Sequence, residues 1–348
     1  MLQLHTYIYT LQNKIPFTTA YGSRRQTESL IVVLKDEQGN WGIGEGVPVR
    51  YLGYTAQEAL TLLERHRTEI ENYDLQDALA FWEFAKSFLH KYPAALCALD
   101  IAAHDLLARK AQKPLYQVWG LVLHDKMPLS NYTLSLAEKD EMLAQMQSID
   151  FPIYKVKMGK DTDISLLKDL RKQTDAILRV DANASWSVEQ TLQNFSVLSE
   201  TQIEFLEQPL SPTDWQGMGV LHKNRTLPLI ADESCQDLND IEKCSSFFDG
   251  INIKLTKCGG LTPALQMIKL ARKLGLKVMA GCMTESSVGI SALAQLLPLL
   301  DYVDMDGSTL ISNDFAEGVF LQNGKAVFPK RVGIGVRLKQ EYLSFFGF

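Results

Sequence analysis

The chain has 348 residues, 46% of them hydrophobic and 22% charged, with a formal net charge of −6. A single hydrophobic core seldom grows past about 250–300 residues, so two domains are expected. The acidic balance lacks the basic stripe that nucleic acid selects, and no run reaches the ~18 apolar residues of a membrane helix.

The N-terminal stretch MLQLHTYIYTLQNKIPF alternates polar and apolar residues. It has no continuous apolar centre, so it reads as a strand rather than a secretory signal, and a cytoplasmic enzyme is the expectation. SLIVVLK, DEQGN and WGIGEG follow as strand, turn and strand. GIGEG looks like a dinucleotide-binding loop, but such a loop needs a helix after it, and VPVRYLG offers no helix start. Apolar spacing predicts helices over 55–72, 74–90 and 93–110, with Thr55 and Pro93 as start signals. The basic cluster Arg65-His66-Arg67 reads as a solvated helix face. Together these elements make a small α+β unit ending near Gly120.

Beyond that point short apolar strands alternate with amphipathic helices. PLSNYTL, IYKVKM, AILRVDAN, IEFLEQP, LPLIADE, GINIKLT, LKVMAGC and DYVDMDG are separated by segments such as SLLKDLRKQ and TPALQMIKLARKLG. Eight strands with seven or eight helices is the alternation of a parallel barrel.

A polar or charged residue closes nearly every strand: Lys157, Asp181, Glu207, Asp232, Lys254, Cys282 and Asp304. The steps from Asp181 to Glu207, to Asp232 and to Lys254 are 26, 25 and 22 residues, each the length of one βα unit. In a closed barrel these ends converge on one face, where active sites of such folds lie.

Lys155 and Lys157 share one side of a strand roughly 7 Å apart, which for an isolated pair would suit a solvated edge. At a barrel mouth such charges need partners or a metal. Asp181, Glu207 and Asp232, from three consecutive strands, can approach a common point. An all-oxygen set without His or Cys favours Mg²⁺ first and Mn²⁺ second; the alternative is three unrelated caps or salt bridges.

Lysine beside another cation is easier to deprotonate, so Lys157 is a candidate base with Lys155 as its perturbing neighbour, and Lys254 approaches from the far side. A Schiff-base lysine is the rival chemistry, though it leaves the carboxylates unexplained. Lys257 is placed in the following loop without a catalytic role. The six histidines avoid the strand ends, and His104, in a helical pattern, is read as structural. Five scattered cysteines, none in C-x-x-C spacing, are read as reduced thiols rather than a zinc or disulfide framework. Asn183 and Glu233, adjacent to candidate ligands, are expected to orient them.

These motifs together resemble the enolase superfamily and, within it, the muconate-lactonizing subgroup. The resemblance rests on ALCALDIAAHDLLARKAQKPLYQVWG, the K-x-K of Lys155 and Lys157, DANASW, LEQPL, ADES and NIKLTKCGG, spread over nearly the whole chain. It implies a modified TIM barrel, (β/α)₇β, over 126–318, with an α+β capping domain over 1–125 and a C-terminal segment, 319–348, returning to the cap. It also implies abstraction of the proton α to a carboxylate, with Mg²⁺ stabilising the enediolate. Two lysines on opposite faces would then invert a stereocentre. The mandelate-like subgroup is disfavoured because its K-x-H motif and barrel histidine are missing.

Asp304 and Asp306, in VDMDGS, resemble the D-x-D of the dipeptide epimerases, where they would meet the substrate's free ammonium. Two acids serving only as loop caps are the other reading. The alternatives inside the subgroup are o-succinylbenzoate synthase, N-acylamino acid racemase and muconate-type cycloisomerase. A barrel that binds without catalysis is the alternative outside it. Ala-Glu epimerases carry an Arg shortly after an F-x-T-A segment; here FTTAYGSRR has Gly22 at that point, with Arg24 and Arg25 just beyond. The resemblance therefore implies a dipeptide whose second residue is not Glu, with Arg24 as a substrate-binding candidate. It also leads us to expect a homo-oligomer without nucleic-acid or membrane partners.

Overall fold

Three strands, β1 (Leu2–Thr19), β2 (Gly22–Asp36) and β3 (Trp41–Gly46), open the chain as an antiparallel sheet. The computed structural model describes residues 1–48 and 53–348, so part of VPVRYLG lies outside the described residues. β1 and β2 stay paired out to Thr19 and Gly22, which carries the tip at Ala20 and Tyr21 far beyond the buried run Leu30–Leu34.

GIGEG turns out to be a packing motif. Gly42, Gly44 and Gly46 share one face of β3, and a Cβ there would lie 2.2, 2.0 and 2.0 Å from the carbonyl oxygens of Ala102, Ala98 and Ala94. Those alanines recur every fourth residue on one side of helix Pro93–Lys110, so helix backbone sits directly on strand backbone. Glu45 points the other way. It is buried and accepts hydrogen bonds from the Ser286 and Gly289 amides at 3.1 and 2.9 Å, pinning the sheet to helix Ser287–Ala294.

The start signals hold at Thr55, which forms a capping box with Glu58, and at Pro93. The helix expected over 55–72 is instead two, Ala56–Arg65 and Arg67–Glu71, broken at His66. The one expected from 74 begins at Ala78, because the Asp77 side chain caps the Ala80 amide. Arg67 is more than a solvated charge. It pairs with Glu64 and Glu71 and donates to the Leu4 carbonyl, tying its helix to β1.

The second sheet has eight parallel strands: β4 (Tyr132–Leu134), β5 (Ile153–Lys157), β6 (Ile177–Asp181), β7 (Ile203–Glu207), β8 (Leu229–Ala231), β9 (Gly250–Lys254), β10 (Lys277–Gly281) and β11 (Tyr302–Asp304). A parallel bridge between Ser130 and Val303 joins the first strand's approach to the last strand and closes the ring. Each of the seven connections carries a helix, which gives (β/α)₇β.

After the barrel, Ala316–Glu317 pairs with Arg337–Leu338. Tyr342, Phe346 and Phe348 then pack against Tyr9, Tyr7 and Trp41, with ring centroids 5.9, 5.2 and 4.9 Å apart, so the chain ends against the sheet that began it. Among the described residues no helix is long and apolar enough to cross a membrane.

Candidate active site

Register places the strand-end residues at one height. Lys157 stands opposite Asp181, Asp181 opposite Glu207, and Gly281 between Lys254 and Asp304. In the closed ring β5 and β9 are four strands apart by either route. Lys157 and Lys254 therefore stand on opposite walls, with Asp181, Glu207 and Asp232 between them on one side and Cys282 and Asp304 on the other. A cavity of about 390 Å³ opens above, lined by Lys155, Lys157, Lys254, Asn183, Glu233, Asp304 and Asp306, and by the β1–β2 hairpin through Tyr21, Gly22 and Arg24.

The charges are buried and paired. The Lys155 ammonium lies 3.1 Å from Asp181 Oδ2, 2.8 Å from Glu207 Oε2 and 2.9 Å from Asp304 Oδ2. Burial alone would discharge it; Asp304, Glu207 and Asp181 outweigh that and hold its pKa well above the usual lysine value. Lys157 donates to Asp181 Oδ2 at 2.6 Å, and Lys254 to Asp232 Oδ2 at 2.7 Å. Burial opposes ionisation of Asp181, but Lys157 and Lys155 hold its carboxyl below the ordinary range. Asp232 is held low in the same way by Lys254 and Lys257.

Glu207 goes the other way. Burial and the neighbouring Asp181 raise it. Asn252 donates to its Oε1 at 2.9 Å, and its Oε2 is ion-paired with the Lys155 ammonium at 2.8 Å. Three buried carboxylates from consecutive strands, an all-oxygen set without His or Cys, fit a hard divalent cation. Donor atoms of Cys282, Asp304 and Asp306 lie closer together, within 4.8 Å. That cluster includes a thiol, a softer donor than a hard divalent cation selects.

Several sequence expectations are corrected here. Lys257 is not in a loop. It sits on the helical turn Leu255–Cys258 with a fully buried side chain, donating to Asp232 Oδ1 at 2.6 Å and to the Cys235 carbonyl at 2.9 Å. The Gly259-Gly260 pair ends this turn in the left-handed region, and a Cβ on Gly260 would lie 2.3 Å from Asp100. Lys257→Met should destabilise the fold by on the order of 3 kcal/mol, because it strips a buried carboxylate and carbonyls of their cation; urea unfolding of variant against wild type reads this directly.

Glu233 does not reach a ligand carboxylate. It accepts from the Tyr21 hydroxyl at 3.0 Å, linking barrel to hairpin, and burial followed by Asp232 pushes its carboxyl up to about 7. The side chain of Gln208 does the positioning there: its Oε1 accepts from the Asp232 and Ser234 amides, each at 3.0 Å. Asn183, in the left-handed region at φ 43°, donates its backbone N–H to Asp181 Oδ1 at 2.8 Å.

β11 ends at Asp304, so Asp306 does not continue the alternation. It begins the turn Gly307–Thr309 and accepts from the Thr133 amide at 2.6 Å. Burial, then Asp304, pushes its carboxyl up to about 7. His104 is structural as expected, buried 2.9 Å from the Thr262 hydroxyl. Sequence reading also passed over Arg179, Asn131 and Asn252, whose partners lie on other strands.

Comparison with known proteins agrees with this architecture. Residues 3–120 match the mandelate racemase / muconate lactonizing enzyme N-terminal domain, and residues 137–342 match the enolase C-terminal domain-like family. The chain is 48% identical over 97% of its length to the whole of an L-Ala-D/L-amino acid epimerase from Maribacter sp.. It is 44% identical over 95% of its length to 98% of a protein of the same name from Flavobacterium johnsoniae. A dipeptide epimerase from Cytophaga hutchinsonii, solved with Mg and D-Ala-L-Val, superposes with a TM-score of 0.93 at 27% identity, over 99% of this chain and 98% of that one. With both family domains present in order and whole-length relatives above 40% identity, this chain belongs to the enolase superfamily, in its mandelate racemase and muconate lactonizing group.

Proposed function

We propose that the protein is a Mg²⁺-dependent dipeptide epimerase that inverts the α-carbon of the C-terminal residue. The observation that carries this reading is the pair of lysines on opposite walls of a closed barrel with three buried carboxylates between them. The epimerase relatives and the dipeptide-bound neighbour support it.

Asp181, Glu207 and Asp232 would hold the divalent cation, which supplies positive charge where the substrate carboxylate gathers negative charge in the transition state. The remaining chemistry belongs to the chain. A neutral Lys157 takes the α-proton on one face, the bonding pair spreads into the adjacent carboxylate, and a protonated Lys254 returns a proton to the opposite face. The two lysines end in exchanged protonation states. Lys155, held as a cation by three carboxylates, keeps a fixed positive charge beside the reacting carboxylate.

The peptide's free ammonium would reach the wall of Asp304 and Asp306. Acetylating that amine should lower kcat/KM by on the order of 10²-fold, as expected for a lost charge-assisted contact of ~3 kcal/mol. Comparable turnover of free and N-acetylated dipeptides would return N-acylamino acid racemase or o-succinylbenzoate synthase chemistry to first place.

A pH profile tests the same contact. Asp306, raised to about 7, faces Asp304, Lys155, Thr133, Cys282 and Tyr132. Only its ionised form attracts an ammonium, so kcat/KM for the free dipeptide should rise with pH through about 7. It should fall again as the substrate amine loses its proton near pH ~8. The N-acetylated peptide should lack the contributions of Asp306 and of the amine, keeping only the pH dependence of the proton-transfer step that both peptides share.

A further inference from the structure

Asn252 stands in the middle of β9 with no exposed surface. It shares a strand face with Lys254, which lines the cavity, so its side chain lies inside the barrel one layer deeper. There its amide reaches past β8 to the end of β7, where Nδ2 donates to Glu207 Oε1 at 2.9 Å. Lys155 takes the other oxygen of the same carboxylate at 2.8 Å. An ionised carboxylate only accepts, so it can meet only the nitrogen end of the amide. Asn252 Oδ1 is thereby turned away, and it is buried without a hydrogen bond among the described residues. An unpaired buried oxygen is costly, and an apolar side chain of similar size would avoid that cost. Packing alone therefore does not select an amide at this position; the bond to Glu207 does.

β10 makes room for it. Gly281 stands beside Lys254 in register, and a Cβ on it would lie 2.7 Å from Asn252 Oδ1 and 2.8 Å from Nδ2, close enough to force the amide to shift. Two neighbouring strands thus converge on one hydrogen bond to one carboxylate. That carboxylate has few other supports. Asp181 is held by Lys157 and by the Asn183 amide, and Asp232 by Lys254 and Lys257. Glu207 has Asn252 and Lys155, and Lys155 is shared with Asp181 and Asp304.

We propose that Asn252, given room by Gly281, is a positioning residue that holds Glu207 in the orientation in which it binds the divalent cation. The cation belongs to the reading under Proposed function; the hydrogen bond and the glycine do not depend on it.

The test measures Mn²⁺ binding by isothermal titration, melting temperature without added metal, and kcat for L-Ala-L-Val against Mg²⁺ concentration, in wild type, Asn252→Ala, Gly281→Ala and the double variant. Asn252→Ala deletes the donor, whereas Gly281→Ala deletes nothing and adds one methyl group that displaces it. Each should weaken Mn²⁺ binding on the order of 10-fold, as expected when a hydrogen bond to a metal ligand is lost, and shift the Mg²⁺ dependence of kcat by the same factor. At saturating Mg²⁺ kcat should return toward the wild-type value, because the lysines are untouched. In the double variant the added methyl meets no amide, so Mn²⁺ binding should match that of Asn252→Ala alone.

A purely structural role would lower the melting temperature and leave the Mn²⁺ dissociation constant of folded Asn252→Ala at the wild-type value, which would overturn the proposal. Losses that add in the double variant would overturn it as well. Wild type that binds no Mn²⁺ would strike the metal reading and this proposal together. Wild type that binds Mn²⁺ without turning over the dipeptide would strike the epimerase reading only, and the titrations would still decide the role of Asn252.

Discussion

Asp181→Ala, Glu207→Ala and Asp232→Ala are each expected to lower kcat/KM by on the order of 10³-fold or more, the loss of several kcal/mol of charge stabilisation at the substrate carboxylate. EDTA should abolish turnover in the wild type, and Mg²⁺ should restore it. The expectation rests on three carboxylates that are each buried and lie at the ends of β6 and β7 and just past β8. Removing one also leaves a lysine short of its anion, so folding has to be followed separately. Asp181→Ala strips Lys157 of its 2.6 Å partner, whereas Asp232→Ala strips both Lys254 and Lys257. Asp232→Ala should therefore be the less stable of the two. Isothermal titration with Mn²⁺ separates loss of the ion from loss of the fold: a folded variant that binds Mn²⁺ like wild type and turns over normally would sink the metal assignment.

The second large effect is asymmetric. Lys157→Ala should lose α-proton exchange from one epimer first and Lys254→Ala from the other, because each lysine faces one side of the reacting carbon. From the family resemblance, Lys157 is expected to serve the L and Lys254 the D configuration at the C-terminal residue. Incubating each epimer in D₂O and following deuterium uptake by mass spectrometry resolves the two half-reactions, which net racemisation cannot. Overall epimerisation should fall by on the order of 10³-fold in either variant, as expected when a positioned proton carrier is removed from a step that needs two. Exchange of both epimers at wild-type rates in both variants would remove the lysines from the mechanism. Trapping of a borohydride adduct on either lysine would point instead to Schiff-base chemistry.

The site was legible in the sequence wherever its residues follow one strand's own geometry. Lys155 and Lys157 face the same way because a strand repeats every two residues. Asp181 and Glu207 close their strands and Asp232 follows just past β8 because each βα unit has nearly the same length and returns the chain to the same end of the barrel. The eight-strand alternation, the Thr55 and Pro93 starts and the rejection of GIGEG as a dinucleotide loop belong to the same class of inference, since each depends only on neighbours along the chain. Even there, alternation fails once the strand stops: Asp306 lies past the end of β11, and a turn rather than the pleat aims its carboxylate.

What the folded chain decided is which charge meets which. Lys257 looked incidental in NIKLTKCGG, because only the turn after β9 folds it back onto Asp232, 25 residues earlier. Glu233 is next to Asp232 in sequence, yet the chain turns just past β8, and its partner is Tyr21 on the hairpin, 212 residues away. Arg179, Asn131 and Asp304 are scattered over β6, the approach to β4 and β11, and their contacts exist only because the ring closes between Ser130 and Val303. Periodicity is a local property of the backbone and survives in the sequence. Hydrogen bonds and ion pairs act over about 3 Å, so their partners are set only when barrel closure and the hairpin bring distant segments together.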